Sequence, residues 1–189
     1  IKYGYFAGDD IYVIKVASGF HGNRARGLPA SSGCMMVCSA ETGAPLALLQ
    51  DDGLLTDIRT ALAGQLAARL LAPEHIKAIG ILGAGIQARL QLKYLRDETT
   101  CRQVRVWSPR AEGTTRFIED MAEWGFHATP ATPEEIPGEC RLIVCTTPAR
   151  APLLQADWIR PGTHITAMGA DTPGKQELDT DIVLNADLL

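Results

Sequence analysis

The sequence lacks the features that would assign it to a membrane or to nucleic acid. No apolar run approaches the roughly 18 residues that a membrane-spanning helix needs, and no N-terminal stretch has the layout of a signal peptide. The 189 residues carry a net charge of −4 without any block of like charge. Neither nucleic acid nor an anionic membrane is therefore expected as the main partner, and a small molecule is.

Cysteine usage argues against a disulfide framework. The five cysteines are odd in number and include no C-x-x-C pair, which favours a reduced, cytoplasmic protein. Cys34 and Cys38 fall on one face of a predicted strand, but no histidine lies at ligand spacing from them. We therefore predict no metal site.

Residues 76–88 have the pattern of a buried strand that runs into a glycine turn and then a helix. The run 79–82 is short, apolar and partly β-branched, as in the centre of a parallel sheet. Gly83, Gly85 and Ala88 occupy the three positions of the G-x-G-x-x-G/A pattern. The first position allows a tight turn, the second lets the backbone approach a pyrophosphate, and the third lies where the helix contacts the strand. A helix over 86–96 would direct its unpaired N–H groups at the phosphates. The residues predicted to hold a dinucleotide here are Gly83, Ala84, Gly85, Ile86 and Gln87.

Strands and helices alternate beyond this turn. The strands are predicted at 104–107, from 126, at 142–145 and at 164–168, with helices at 112–123 and from a capping box at 132–135. This order predicts an α/β Rossmann-type, doubly wound parallel sheet. The alternative is a tight βα turn in some other α/β domain.

Polar residues follow two of these strands. Ligands bind beyond the carboxyl ends of parallel strands, and those ends carry Thr146, Thr147 and Met168. Asp171 comes shortly afterwards and is predicted to face the cofactor edge. The alternative is that Asp171 caps the turn through 172–174.

The strand at 104–107 leads into Ser108 and Arg110, where a site that prefers NAD usually carries Asp or Glu. A serine hydroxyl and a guanidinium would instead receive a 2′-phosphate. NADP(H) is therefore the favoured cofactor, with NAD(H) as the alternative.

The sequence pattern of the first third of the chain predicts part of a second α+β domain, with both strands and a helix. It contains a strand at 11–16, a turn-rich loop at 19–33, a hairpin of strands 34–39 and 45–50, and a helix N-capped by Thr56 that runs to about Leu71. The helix is expected to bury one apolar stripe, formed by Ile58, Leu62, Leu66 and Leu70.

Two cations in this part have unusual positions. Lys15 shares a strand face with Ile11 and Val13, which suits either an edge-strand lysine that blocks aggregation or an ammonium held over a pocket. Arg59 lies in the first turn of the helix, where the helix dipole does not favour a cation. It is either a solvated side chain or a donor fork for a substrate carboxylate.

Six segments in order make the chain similar to the ornithine cyclodeaminase and mu-crystallin family over essentially its whole length. They are Val13–Val16, Gly27–Pro29, Thr42–Gly43, Leu55–Ala61, Gly83–Ala88 and Gly169–Leu178. The resemblance implies that Lys15 and Arg59 bind the substrate carboxylate, that Asp171 is the acid/base group, and that the Gly83 turn holds the cofactor. A further N-terminal arginine of the family's carboxylate site has no matching position here.

The resemblance also implies an incomplete chain, because family members are longer at both ends. The chain begins at Ile1 without an initiator methionine and stops at Leu189 in what resembles the middle of an element. We expect residues 1–72 to form part of a substrate-binding and dimerisation domain ending in a linking helix. Residues 73–189 are expected to form a dinucleotide-binding domain truncated at its C-terminal end, in a homodimer.

The family chemistry is hydride transfer between a nicotinamide and the α-carbon of an amino or imino acid. Three functions follow from it: an NADPH-dependent imino-acid reductase, an ammonia-lyase of the ornithine cyclodeaminase kind that recycles bound NAD, and a non-catalytic NADPH-binding protein of the mu-crystallin kind. The chain is more similar to the imino-acid reductases and the ectoine-utilisation branch than to the ornithine enzymes, which favours the first.

Overall fold

The computed structural model of the protein describes residues 1–29 and 31–189, apart from the side chains at positions 21, 24 and 31. The chain divides into two compact units, Ile1–Arg59 and Thr60–Leu189. Helix α1 (Leu54–Leu71) runs from the first unit into the second.

The first unit is a four-stranded antiparallel sheet with strands in sequence order. The strands are β1 (Lys2–Tyr5), β2 (Ile11–Gly19), β3 (Ser31–Ser39) and β4 (Pro45–Gln50). The predicted hairpin of β3 and β4 is confirmed, and Gly43 in its connection has a φ of +73°. β1 was not predicted from the sequence.

The predicted loop at 19–33 is wrong at both ends, and its residue 30 lies outside the described residues. Gly19 ends β2, a 3-10 helix covers His21–Arg26, and Gly33 pairs with Ala17 inside the β2–β3 ladder. A Cβ at Gly33 would meet the Val16 carbonyl oxygen at 2.6 Å, so glycine serves strand pairing there rather than a turn.

The second unit contains a five-stranded parallel sheet in the order β10-β8-β5-β6-β7, which confirms the predicted doubly wound α/β fold. Its elements are β5 (Ile79–Leu82), α2 (Ile86–Leu95), β6 (Gln103–Trp107), α3 (Ala111–Glu123), β7 (His127–Pro130), α4 (Glu135–Glu139), β8 (Leu142–Cys145), β9 (Arg150–Leu154), β10 (His164–Ala167), β11 (Gln176–Leu178) and α5 (Thr180–Leu184). β9 and β11 form a separate two-stranded parallel sheet. The strand order reverses between β5 and β8, which is where such folds bind ligands.

The core of the second unit lies on both faces of this sheet. Every residue of β5 and of β8 is buried. Ile79, Ile81 and Val144 pack into one apolar cluster, while Leu82 and Ile143 pack into the other. Full burial of such side chains stabilises the fold by about 1.5–3 kcal/mol each, which holds the strand ends at the cofactor edge in place.

Helix α1 begins earlier than predicted because its N-cap is not Thr56. The Asp51 carboxylate accepts a hydrogen bond from the Leu55 amide at 2.7 Å, and the helix starts at Leu54. This aspartate satisfies the amide of the residue immediately before the predicted cap and leaves the Thr56 side chain for another partner.

The predicted leucine stripe of α1 is also wrong. The buried residues of the helix are Ala61, Gly64 and Ala68. The leucines of the stripe are exposed, with Leu62 at 41%, Leu66 at 54% and Leu70 at 69%. Small residues face inward because α2 packs closely there: the Gln91 side chain occupies the space of a Cβ on Gly64 and donates to the Thr60 carbonyl at 3.2 Å.

Candidate functional site

The glycine turn lies between the ends of three neighbouring strands. The Gly83 amide donates to the Trp107 carbonyl at 2.7 Å, and the Thr146 amide donates to the Leu82 carbonyl at 2.9 Å. Gly83 has a φ of +109°, and a Cβ there would meet the Thr146 hydroxyl oxygen at 2.6 Å. Only glycine fits this tight junction without strain.

The start of α2 is open toward solvent. A Cβ on Gly85 would have no neighbour within 4 Å, and Ile86 is 58% exposed. The N-cap residue of α2 is Gly85, which has no side chain to cap the first turn, and Gln87 belongs to that turn. Backbone amides at the positive end of a helix form an anion site, so the pyrophosphate of a dinucleotide fits here.

Arg89 braces this turn, a role that the glycine pattern did not reveal. Its Nη1 donates to the carbonyl of Ala84 and, at 3.3 Å, to that of Gly85. Its Nε donates to Asp120 at 2.7 Å, and its guanidinium lies 5.3 Å from the centre of the Phe117 ring. These contacts tie the carbonyl groups of the turn to α3.

Ser108 and Arg110 lie beside the turn. A Cβ on Gly113 would be 3.2 Å from the Ser108 hydroxyl oxygen and 3.9 Å from the Ala84 Cβ, so this loop adjoins the glycine turn. The Ser108 hydroxyl already donates to the Arg110 carbonyl at 2.8 Å and lies 3.0 Å from the Thr114 hydroxyl. Arg110 is exposed, and its guanidinium makes no hydrogen bond or ion pair with any described residue.

A buried carboxylate that the sequence did not single out ties two strand ends together. Glu177 in β11 is 1% exposed and accepts hydrogen bonds from the Thr147 amide at 2.5 Å, the Thr147 hydroxyl at 2.7 Å and the Gly169 amide at 2.7 Å. Burial, and then the Glu177 charge, raises the pKa of the Cys145 thiol well above its usual value. Glu177 lies inside the segment Gly169–Leu178 of the family resemblance, but no local pattern in the sequence indicated a buried carboxylate there.

The predicted residues Thr146, Thr147 and Met168 therefore share one edge of the sheet with the glycine turn. The Met168 amide extends the β10–β8 ladder by donating to the Cys145 carbonyl at 2.8 Å. This edge collects all of the cofactor-binding residues that the sequence predicted.

Asp171 lies on the segment that follows β10. Its carboxylate forms an ion pair with Lys175, at 2.6 Å between Nζ and Oδ1. The Asp171 side chain is 67% exposed, whereas that of Lys175 is 14% exposed. The carboxylate is therefore accessible and held on one side by an ammonium that the sequence reasoning had not assigned.

Lys15 and Arg59 line one cavity of about 480 Å³ in the first unit. β2 pairs with β1 on one side and β3 on the other, so Lys15 is not the edge-strand lysine of the alternative interpretation. Its ammonium donates to the Thr56 hydroxyl at 3.2 Å. Burial first, and then the positive charge of Arg59, lowers the pKa of Lys15. Cations that share a partly desolvated cavity favour an anionic ligand.

The described residues carry no alternative centre of metal chemistry. They contain no group of three or more His, Cys, Asp or Glu side chains placed to hold a metal ion, and all five cysteines are free. In the described ranges, no helix is long and apolar enough to cross a membrane.

Known proteins share both the sequence pattern and this geometry. The chain is 38% identical over 176 residues to the alanine dehydrogenase of Archaeoglobus fulgidus, covering 93% of this chain and 54% of that protein. The structure of an archaeal alanine dehydrogenase dimer with bound NAD is 35% identical with a TM-score of 0.88, covering 98% of this chain and 60% of that one. The Thermococcus litoralis Δ1-pyrroline-2-carboxylate reductase, solved in complex with NADH and L-proline, is 31% identical with a TM-score of 0.84, covering 91% of this chain and 54% of that one.

The chain thus spans little more than half the length of the curated relatives that it matches. The sequence profile of the Ornithine cyclodeaminase/mu-crystallin family matches residues 4–189. The predicted resemblance is confirmed, and the chain belongs to the ornithine cyclodeaminase/mu-crystallin family.

Proposed function

We propose that the protein is a nicotinamide-dinucleotide-dependent oxidoreductase that acts on the C–N bond of a small amino or imino acid, in the manner of an imino-acid reductase. The observation that carries this proposal is the pair of cations, Lys15 and Arg59, in one partly desolvated cavity of a chain that also has an open glycine turn. The NADH and L-proline bound to the Thermococcus litoralis reductase support the same pairing of ligands here.

The substrate carboxylate is held by Lys15 and Arg59. Thr56 keeps the Lys15 ammonium in place, and the fixed carboxylate limits the rotation of the α-carbon. A bound dinucleotide supplies or takes up the hydride at this carbon.

Asp171 exchanges the proton at the substrate nitrogen. Its exposed carboxylate accepts the proton when an amine is oxidised and returns it when an imine is reduced, a contribution of about 10²–10⁴ in rate. Lys175 orients the carboxylate by donating a hydrogen bond to its Oδ1.

NADP(H) is the proposed cofactor, with NAD(H) as the alternative. Support comes from the exposed guanidinium of Arg110 beside the glycine turn and from the lack of an acid at the end of β6, where the loop carries Ser108. The archaeal alanine dehydrogenase structure contains bound NAD, which supports a dinucleotide site here and favours the alternative cofactor, NAD(H).

Residues 1–72 are proposed to contribute the carboxylate site and dimer contacts, and residues 73–189 the dinucleotide site. A homodimer is supported by the dimeric archaeal alanine dehydrogenase structure and by the exposed leucines of β4, Leu46 and Leu48. Five free cysteines support work in a reducing compartment such as the cytoplasm.

The test is an assay of the protein with imino acids such as Δ1-pyrroline-2-carboxylate and with NADPH or NADH, following nicotinamide absorbance and ammonia together. We expect stoichiometric NADPH oxidation, and Asp171→Asn is expected to lower kcat about 10²–10⁴-fold while the exposed control Asp187→Asn does not. Ammonia release from a diamino acid without net cofactor change would identify a cyclodeaminase instead. Tight NADPH binding without either reaction would identify a binding protein.

The cofactor choice has its own test. Arg110→Asp is expected to weaken NADPH binding at least tenfold and to leave NADH binding unchanged, because only the 2′-phosphate loses its partner. Arg116→Asp, an exposed change on helix α3, which follows Arg110, is the matched control. Equal NADPH affinity in both variants would remove the basis for NADP(H).

A further inference from the structure

A second cavity, of about 530 Å³, lies within the second unit at the opposite edge of the parallel sheet. Its walls come from positions 75, 77 and 78 before β5, from the first three residues of β6 (103–105), from positions 138, 139 and 141 before β8, and from Arg160. The glycine turn is at the carboxyl ends of the same strands. The four residues of β5 span about 13 Å, so this amino-edge cavity is separate from the proposed dinucleotide site.

The amino-edge cavity reverses the charge balance of the chain. The chain has 18 Lys and Arg against 22 Asp and Glu. The charged residues lining the cavity are Lys77, Arg105, Arg141 and Arg160, with His75 beside them and Glu139 as the carboxylate. Four lysine and arginine side chains thus line the cavity together with one carboxylate.

Two of the guanidinium groups are held in position. Arg141 donates to the Pro161 carbonyl at 2.7 Å. Arg105 pairs with Glu139 at 2.6 Å and also donates to the Thr129 hydroxyl. Because these side chains are already ordered, a ligand would lose little entropy in fixing them.

The side chains of the other two cations have no partner among the described residues. Lys77 and Arg160 are exposed, and neither the Lys77 ammonium nor the Arg160 guanidinium makes a hydrogen bond or an ion pair with one of them. Like charges gathered around a concave surface attract and concentrate anions. A volume of about 530 Å³ is within the range of small-molecule sites.

We infer that the amino-edge cavity binds a small compound that carries two or more phosphate groups. A guanidinium group can donate two parallel hydrogen bonds to the oxygens of a phosphate. Four cationic side chains, two of them already held by hydrogen bonds, suit a ligand with several phosphate charges better than a ligand with one carboxylate. Such phosphates come either from inorganic pyrophosphate or from a nucleotide. This inference does not depend on the proposed function, since it needs no turnover.

The test is calorimetric titration of inorganic pyrophosphate into the protein saturated with NADPH, so that the glycine turn is already filled. We expect one pyrophosphate site, and the double variant K77E/R160E is expected to bind pyrophosphate at least thirtyfold more weakly. The double variant R96E/R116E, at two exposed positions outside the cavity, is the charge-matched control and is expected to bind as the parent does. NADPH affinity should stay within twofold in every variant, which shows that the folded second unit is retained.

ATP and citrate are titrated in parallel. Competition of ATP with pyrophosphate, lost in the double variant, would identify a nucleotide, whereas binding of pyrophosphate without ATP competition would identify the inorganic anion. Absence of pyrophosphate binding at millimolar concentration, equal binding by K77E/R160E, or tighter binding of citrate would overturn the inference. If the protein binds neither NADPH nor NADH, the proposed function fails, and the same comparison of variants without a dinucleotide still decides this inference.

Discussion

The two units differ in how far they bury their apolar side chains. Among the described residues of the first unit, Cys38 is the one buried hydrophobic side chain, while Tyr3 is 82% and Leu48 is 62% exposed. The second unit has apolar clusters on both faces of its parallel sheet. An antiparallel sheet with so much exposed apolar surface gains stability when another segment or a second copy covers it. The core of the second unit therefore fixes the positions of its own site residues. The first unit instead provides a cavity and exposed apolar faces.

This comparison predicts that changes at buried positions of the second unit mainly affect folding, and that changes in the cavity of the first mainly affect binding. The largest effect is expected for Glu177→Ala. The Thr147 amide and hydroxyl and the Gly169 amide would lose their acceptor in a buried place, which should lower the free energy of unfolding by about 3 kcal/mol. Urea denaturation measures the loss, and the exposed Glu119→Ala on α3 should stay within about 0.5 kcal/mol. A loss no larger than the control's would show that Glu177 does not hold the strand ends.

A smaller effect on stability is expected at the buried face of α1. Gly64→Val would place a branched side chain where Gln91 packs, which should cost about 2 kcal/mol by overpacking. The exposed Leu66→Gln should change stability by less than about 0.5 kcal/mol in this chain. Thermal unfolding of both variants measures the difference. The reverse order would restore the leucine stripe as the buried face.

In the first unit, Lys15→Met is expected to raise the KM for the amino or imino acid at least tenfold. One charged hydrogen bond to the carboxylate is lost, which corresponds to about 1.5 kcal/mol or more. The free energy of unfolding should not fall, because a partly desolvated ammonium is removed. Lys2→Met, on the rim of the same cavity, is the control and should have the smaller effect on KM. If unfolding changes and KM does not, the assignment of roles to the two units is wrong.

The smallest effect is expected in the pH dependence of binding. Because burial and Arg59 lower the pKa of Lys15, the folded state releases this proton at a lower pH than an ordinary lysine does. The affinity for a carboxylate substrate should therefore fall as the pH rises through that lowered pKa. The unfolded chain binds more protons in the same range, so the contribution of Lys15 to stability becomes more favourable as the pH rises.

Lys15→Arg separates this effect from other titrations. A guanidinium stays charged over the whole range, so the alkaline loss of affinity should disappear in this variant. Measuring KM against pH for both proteins checks the prediction, and an identical alkaline loss would assign it to another group.

Local patterns were sufficient for much of the second unit. The apolar runs of β5 and β8 predicted a buried parallel sheet, and the predicted capping box exists, with the Thr132 amide donating to Glu135 at 2.7 Å and the Glu135 amide donating to the Thr132 hydroxyl at 3.3 Å. Strands β1, β9 and β11 were missed. β1 (Lys2–Tyr5) and β11 (Gln176–Leu178) lack an apolar run, so their pairing depends on the strand beside them.

The sequence by itself determined the elements whose cause lies within a few residues: the glycine turn, the buried strands around it, and the candidate groups Lys15, Arg59 and Asp171. Tertiary structure decided what depends on residues far apart in the chain. Thr56 holds Lys15 from 41 positions away instead of capping a helix, and Glu177 holds Thr147 across 30 positions. Such contacts depend on which elements pack together, and this is not encoded in any short segment. The packing of α2 against α1 in the same way buries Gly64, and not the leucines of α1.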